Sequence, residues 1–202
     1  MSPSLAVPLA LVLSYIVGSI DFAVIVARMH GVDIHEEGSG NPGTSNVLRT
    51  LGRLPAAMVL IGDMLKGTIA AAMGWYASGV PDPKLSHWAF AAGLCAVIGH
   101  CYPIFHKFKG GKGVATGAGV LLFTVPLASV LLIAIWGITV KLTKTASIGS
   151  MVIVVITIPI LIWQGVRGLS LVWVALTILL VVWRHRGNIR RMASGNEQRV
   201  TA

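Results

Sequence analysis

Apolar residues run along this chain in stretches of about twenty, a length that suits a helix crossing a bilayer core, with short polar segments between them. Residues 5–27, 54–77, 88–105 and 169–183 each form one such run. The stretch 114–163 is also mostly apolar and is too long for one crossing; Pro126, Lys141 and Lys144 interrupt it. In hydrocarbon every backbone N–H and C=O must be satisfied internally, so spans of this length are helices. The pattern therefore predicts an all-α polytopic membrane protein. The first run is long and has no basic residue before it, so it reads as a retained helix and not as a cleaved signal.

The middle stretch allows two topologies. A straight helix over 114–140, followed by a re-entrant stretch, gives five spans and leaves Lys141 and Lys144 outside. A turn near Pro126 gives two shorter helices, puts those lysines inside, and makes about seven spans: the first three, then about 114–125, 127–142, 147–163 and 169–184. Charge favours the second. With the N-terminus outside, Arg28, Arg49, Arg53, Lys107, Lys109, Lys112, Lys141, Lys144, Arg184, Arg186, Arg190, Arg191 and Arg199 all fall inside, with the C-terminus. Only Lys84 and Arg167 fall outside, and Lys66 lies within the second helix. This is the asymmetry expected of cytoplasmic loops.

Composition agrees. Of 202 residues, 55% are hydrophobic and 11% charged, against about 25% charged in soluble domains. The mean hydropathy is +0.80. The net charge of +9 would suggest nucleic acid in a soluble chain; here its placement explains it, and no nucleic-acid partner is expected. Cys95 and Cys101, six residues apart, fall on different faces of one helix, so no disulfide between them is expected. The six histidines are scattered, and no metal or other cofactor is expected. Residues 1–202 read as one domain without internal repeats.

Four polar segments share the predicted inner face. In GSGNPGTSNVLR (38–49), Ser45 or Asn46 can cap a helix with Arg49 in its first turn, and a glycine-rich loop with an arginine can hold an anion. In KFKGGKG (107–113), three lysines and three glycines precede a helix N-terminus, where the helix end and free amides suit phosphate. Topology alone would need the charge but not the glycines. Gly113 stands where a nucleotide-binding loop needs Ser or Thr, so ATP hydrolysis is not implied. The segment 143–150 offers hydroxyls beside Lys144. In RHRGNIRR (184–191), spacings of four and three place Arg184, Asn188 and Arg191 on one helical face, with His185 beside Asn188. Carboxylates are nearly absent around these segments, so the substrate should be anionic, and the apolar helices beside them can take an acyl chain. Within the membrane, Asp63 and Lys66 are spaced to pair; Asp21 has no sequence-local partner and could reach water at the inner end.

Together the segments resemble the acyl-phosphate-dependent glycerol-3-phosphate acyltransferases of bacteria, the PlsY family. The matching patterns are GSGNPGTSNVLR (38–49), DMLKG (63–67), GHCYPIFHKFKGGKGVATG (99–117), TASIGS (145–150) and RHRGNIRRMASGNE (184–197), in order along nearly the whole chain. The resemblance implies a seven-helix enzyme of the bacterial plasma membrane with its site on the cytoplasmic side. It implies transfer of a fatty acyl group from acyl phosphate to the 1-hydroxyl of sn-glycerol 3-phosphate, giving lysophosphatidic acid and phosphate, the first acylation of phospholipid synthesis. Acyl phosphate, glycerol 3-phosphate and membrane lipids are the expected partners. By motif position, Ser39, Arg49, Lys112, His185 and Asn188 are expected to be catalytic. Gly40, Asn41, Asn46, Lys107, Lys109, Gly110, Gly111, Gly113, Thr116, Ser147 and Ser150 are expected to bind substrate. Acyl phosphate is already activated, which fits the absence of a nucleotide loop. No histidine here has an aspartate five residues on, unlike the other large glycerolipid acyltransferase class. The proton acceptor is either His185 or a substrate phosphate oxygen, the latter preferred because no well-placed carboxylate is evident and the arginines around His185 should disfavour its gaining a proton. One departure is Asp21, where the family has proline. An organic-phosphate transporter is the rival reading, but it would want midplane polar groups and often a repeat.

Overall fold

The computed structural model describes residues 3–200, all of whose regular structure is helical. In chain order the helices are α1 Pro3–Gly18, α2 Phe22–Met29, α3 Thr44–Leu51, α4 Arg53–Ser78, α5 His87–Cys101, α6 Val114–Thr124, α7 Pro126–Thr143, α8 Ala146–Trp163, α9 Leu169–Arg184 and α10 Arg186–Ala193. Among the described residues, five stretches are long and apolar enough to cross a bilayer: Ser4–Met29, Arg53–Ser78, His87–His106, Pro126–Thr143 and Ala146–Trp163. Leu169–Arg184 with Arg186–Ala193 makes a sixth if that bent pair is one span, and Val114–Thr124 is a shorter apolar helix.

The chain does turn at Pro126. Val125 leaves helical geometry (φ −142°, ψ 71°) and Pro126 opens α7, a position where its missing N–H costs nothing. The straight 114–140 helix of the five-span topology is thereby ruled out.

The first apolar run is not one helix. It breaks at residues 19–21, and Asp21 caps α2 by accepting the Val24 N–H at 3.1 Å. Its side chain is buried, at 3% exposure, so it does not reach water as the sequence suggested. The break frees the Ile20 carbonyl, which accepts from Lys66 Nζ at 2.8 Å. A freed carbonyl within a span needs such a donor. Lys66 also pairs with Asp63 at 2.8 Å, as their spacing predicts.

The long helix α4 is the centre of the bundle, with α1, α2, α3, α5 and α6 packed around it. Glycines permit the closest approaches: a Cβ at Gly67 would strike the Thr116 carbonyl of α6, and one at Gly119 the Met64 carbonyl of α4. Small residues let membrane helices meet backbone to backbone. One apolar cluster, with Ala23, Val26, Ile34, Val47 and Val59, seats α2, α3 and the loop before α3 on α4. A second, with Phe90, Leu121, Leu132, Leu161 and Val174, joins α5 through α9. Both cysteines are free.

Candidate active site

The polar segments converge on one cavity of about 270 Å³. Its polar part is lined by Ser39, Asn41, Asn46, Arg49, Lys112, Gly113, Ser147, Ser150, His185 and Asn188, with Asp63, His100, Arg191 and Glu197 also on its wall. Its apolar part continues between α6, α7, α8 and α9 past Leu121, Leu132, Ile153, Val174 and Ile178.

The 38–49 loop is ordered by Asn46. Its Oδ1 accepts the Ser39 N–H at 2.9 Å, and its Nδ2 donates to the Glu37 carbonyl at 2.9 Å. Asn46 is therefore inside α3 and not its cap; Gly43 precedes the helix without a side-chain cap, and Arg49 lies in the last turn. Arg49 Nη2 donates to Ser39 Oγ and to Asn46 Oδ1, both at 3.3 Å, while its buried Nε has no partner. Burial holds the Arg49 guanidinium below its ordinary range, with Glu197 opposing and Arg191 adding to the effect.

The 107–113 loop divides in two. Lys107 and Lys109 are exposed and do not line the cavity; Lys112 does. Gly113, at φ 86°, makes the left-handed turn into α6, a conformation that glycine alone adopts freely. The Gly110 and Gly111 carbonyls accept from Arg184 Nη2 at 2.6 Å and Nε at 3.0 Å, and the Arg184 guanidinium sits 5.0 Å from the Tyr102 ring centroid. Arg184 thus holds the loop from behind. Burial pushes the Lys112 ammonium down to about 8; Glu197 opposes this, while Arg191, Arg49 and Arg184 add to it.

Arg184 does not share a face with Asn188 and Arg191, because the helix bends by 55° at His185. His185 is buried, and its Nδ1 lies 2.8 Å from the Val181 carbonyl. A carbonyl only accepts, so Nδ1 carries the proton and Nε2 is left as an acceptor. Burial pushes this imidazole down to about 4, the Val181 hydrogen bond opposing and Lys112 adding to the fall. Burial, more than the surrounding arginines, keeps His185 neutral.

Glu197 corrects the expectation of a site without carboxylates. Its Oε1 accepts from Ser147 Oγ at 2.8 Å and from Asn188 Nδ2, and its Oε2 accepts from Arg191 Nε at 2.8 Å. Burial raises its carboxyl, but these hydrogen bonds outweigh that and hold it below its usual range. Both oxygens are engaged, so Glu197 braces donors and is not placed as a base. Ser150 Oγ accepts from Trp136 Nε1 at 3.3 Å. Gly40 (φ 65°), Gly110 and Gly111 shape the loops without lining the cavity, and Thr116 is fully buried in α6.

The chain matches the model of the glycerol-3-phosphate acyltransferase family over residues 8–195. It belongs to that family. Similar glycerol-3-phosphate acyltransferases occur in Pseudomonas syringae pv. tomato (42% identical, covering 92% of this chain and 93% of that one) and Pseudomonas fluorescens (41%, covering 93% and 96%). Among solved structures it resembles PlsY, an integral membrane glycerol 3-phosphate acyltransferase. Against its glycerol 3-phosphate form the TM-score is 0.90 at 33% identity, covering 96% of each chain. Against its lysophosphatidic acid form the TM-score is 0.87 at 33% identity, covering 96% and 94%. As a family member the protein is a multi-pass membrane acyltransferase, and the five motifs read from its sequence all lie within or extend just beyond the matched region.

Proposed function

We propose that this acyltransferase takes its acyl group from an acyl phosphate and delivers it to the 1-hydroxyl of sn-glycerol 3-phosphate. The observation that carries this reading is a single cavity in which half-buried Arg49 and Lys112 stand beside a long apolar wall. Such a cavity suits a reaction with two phosphates and one acyl chain. In a site shielded from water, fixed cations act on phosphate charge more strongly than in bulk.

Arg49, anchored on Ser39 and Asn46, and Lys112 at the α6 N-terminus hold the two phosphates side by side. Asn41 adds a donor, while the Ser147 and Ser150 hydroxyls, whose protons go to Glu197 and to the Ala146 carbonyl, line the wall. His185 Nε2, neutral and lacking a proton, accepts a hydrogen bond from a glycerol hydroxyl, and Asn188 sets the substrate's orientation. The 1-hydroxyl oxygen bonds to the acyl carbon. The bond from that carbon to the phosphate oxygen breaks, and its electron pair leaves with the phosphate. The hydroxyl proton goes to a phosphate oxygen, since His185 resists protonation and Glu197 is engaged. Holding both reactants in this geometry supplies much of the rate. Lys107 and Lys109 face outward, which suits them to gather anionic substrate at the membrane surface.

The same reading places the protein in the bacterial plasma membrane with seven spans, N-terminus outside, C-terminus and site on the cytoplasmic side. The test is phosphate release by purified protein from palmitoyl phosphate, without metal or ATP, with palmitoyl-CoA and palmitoyl acyl carrier protein in parallel. Release that requires glycerol 3-phosphate and yields lysophosphatidic acid is expected with the acyl phosphate alone. Activity with only a thioester donor would overturn the donor; inactivity of folded protein with all three would favour transport, checked by uptake into vesicles.

A further inference from the structure

His100 has no part in the chemistry above, yet it is buried where three polar elements meet, at 6% exposure. Its Nδ1 lies 3.4 Å from Asp63 Oδ1, the same oxygen that Lys66 pairs with at 2.8 Å. Lys66 in turn donates to the Ile20 carbonyl freed by the break in the first span. The other side of His100 meets the phosphate loop. Its carbonyl accepts the Gly111 N–H at 3.0 Å. Its ring lies against Gly111 so closely that a Cβ there would strike Nε2 and come within 2.8 Å of Cε1. The Pro42 carbonyl, from the 38–49 loop, would be 2.7 Å from that same Cβ. The imidazole and Pro42 therefore enclose Gly111 between them, one residue before Lys112.

Burying a carboxylate, an ammonium and an imidazole together carries a desolvation penalty that apolar packing would avoid. What the polar cluster provides, and apolar packing would not, is a fixed plane for the imidazole. Ligand-orienting groups are commonly held by such outer partners.

We propose that Asp63 and His100 are positioning residues for phosphate binding. Asp63, held by Lys66, fixes the His100 ring. The ring and its backbone carbonyl then clamp Gly111 against the 38–49 loop, so that Lys112 faces the cavity. His100 and Asp63 also line the cavity, beside the loop they hold; the role inferred for them is exerted through Gly111, and the inference rests on the acyl-transfer reading given above.

The test compares wild type with His100→Ala, His100→Asn and Asp63→Asn, measuring kcat, KM for glycerol 3-phosphate, thermal unfolding, and amide hydrogen exchange across residues 107–113. For His100→Ala, KM rises on the order of tenfold with a smaller change in kcat, as expected for lost preorganisation. Exchange at Gly111 and Lys112 becomes faster. His100→Asn, which keeps a donor towards Asp63, recovers part of the KM. If His100→Ala does not fold, Asp63→Asn, of nearly the same shape, carries the same expectation in weaker form. Unchanged KM and exchange in folded variants would overturn the clamp. So would a parallel loss of Tm, kcat and KM that the asparagine does not rescue. A wild type that fails to use glycerol 3-phosphate would sink the acyl-transfer reading instead, and the exchange measurement would still decide whether the clamp exists.

Discussion

At Lys112 the burial that strengthens its attraction for phosphate also weakens its hold on its proton. The ammonium has an ordinary value of 10.5 and is lowered to about 8 in the folded protein. Between those values the unfolded chain binds the proton and the folded chain does not, so stability from this group rises with pH across that window. Activity runs the other way, because only the ammonium attracts phosphate. We expect kcat/KM for glycerol 3-phosphate to fall as pH rises through about 8, and the limb in kcat to lie higher because bound phosphate stabilises the cation. Lys112→Arg cannot deprotonate and should remove the limb, whatever it does to the maximum rate; a pH–rate profile of both proteins checks this. Arg49 depends on shape as well as charge, since one Nη reaches both Ser39 and Asn46. Arg49→Lys should lower kcat/KM by about 10²-fold without altering the elution profile in detergent. Both residues were legible in the sequence, as cations beside glycines and small donors. The bracing role of Glu197 was not. Of its partners, Ser147 lies far from it in sequence and Asn188 lies back inside α10, beyond whose end Glu197 sits, and nothing in a stretch reading SGNE indicates that a carboxylate folds back onto them.

At the scale of elements, span positions were legible because twenty apolar residues have few alternatives in lipid. The breaks were only partly legible. Pro126 announced its turn through a missing N–H. The break at residues 19–21 was hidden within continuous hydropathy, and its sign was Asp21, which reads as an isolated intramembrane acid until it is seen capping α2. The bend at His185 was likewise concealed by a run of helix-compatible residues. Backbone approach is least legible of all, since a glycine in a span does not say what it faces. Gly119 faces the Met64 carbonyl. Gly119→Val should force α4 and α6 apart and destabilise the protein by about 1–3 kcal/mol; a lower melting temperature in detergent would register this. Because α6 begins at Val114, two residues after Lys112, the separation should also raise KM for glycerol 3-phosphate. Gly137, whose Cβ would meet nothing within 4 Å, is the control position: its alanine variant should leave both properties as they are, whereas alanine at Gly119 should already lower stability.

For the whole molecule, the placement of charge and the placement of the site are one problem. The loops that build the polar half of the cavity carry most of the arginines and lysines, whereas the turns after α4 and α8 carry only Lys84 and Arg167. A cation-rich face is retained on the cytoplasmic side, and a phosphorylated, membrane-impermeant acceptor such as glycerol 3-phosphate would be met on that side too. The proposed orientation and the proposed function thus impose the same demand on the same residues. The demand is testable independently of activity. Single cysteines at Lys84 and Arg167, in a chain with Cys95 and Cys101 replaced by alanine, should react with an impermeant maleimide in intact spheroplasts. Cysteines at Lys109 and Arg190, both exposed, should react only after the membrane is opened. The reverse pattern would put the site outside, where glycerol 3-phosphate made in the cytoplasm could not reach it, and would break the link between topology and acyl transfer. Labelling of Lys109 and Arg167 from one side would instead mean an even number of crossings between them, so that one of α6, α7 and α8 does not span.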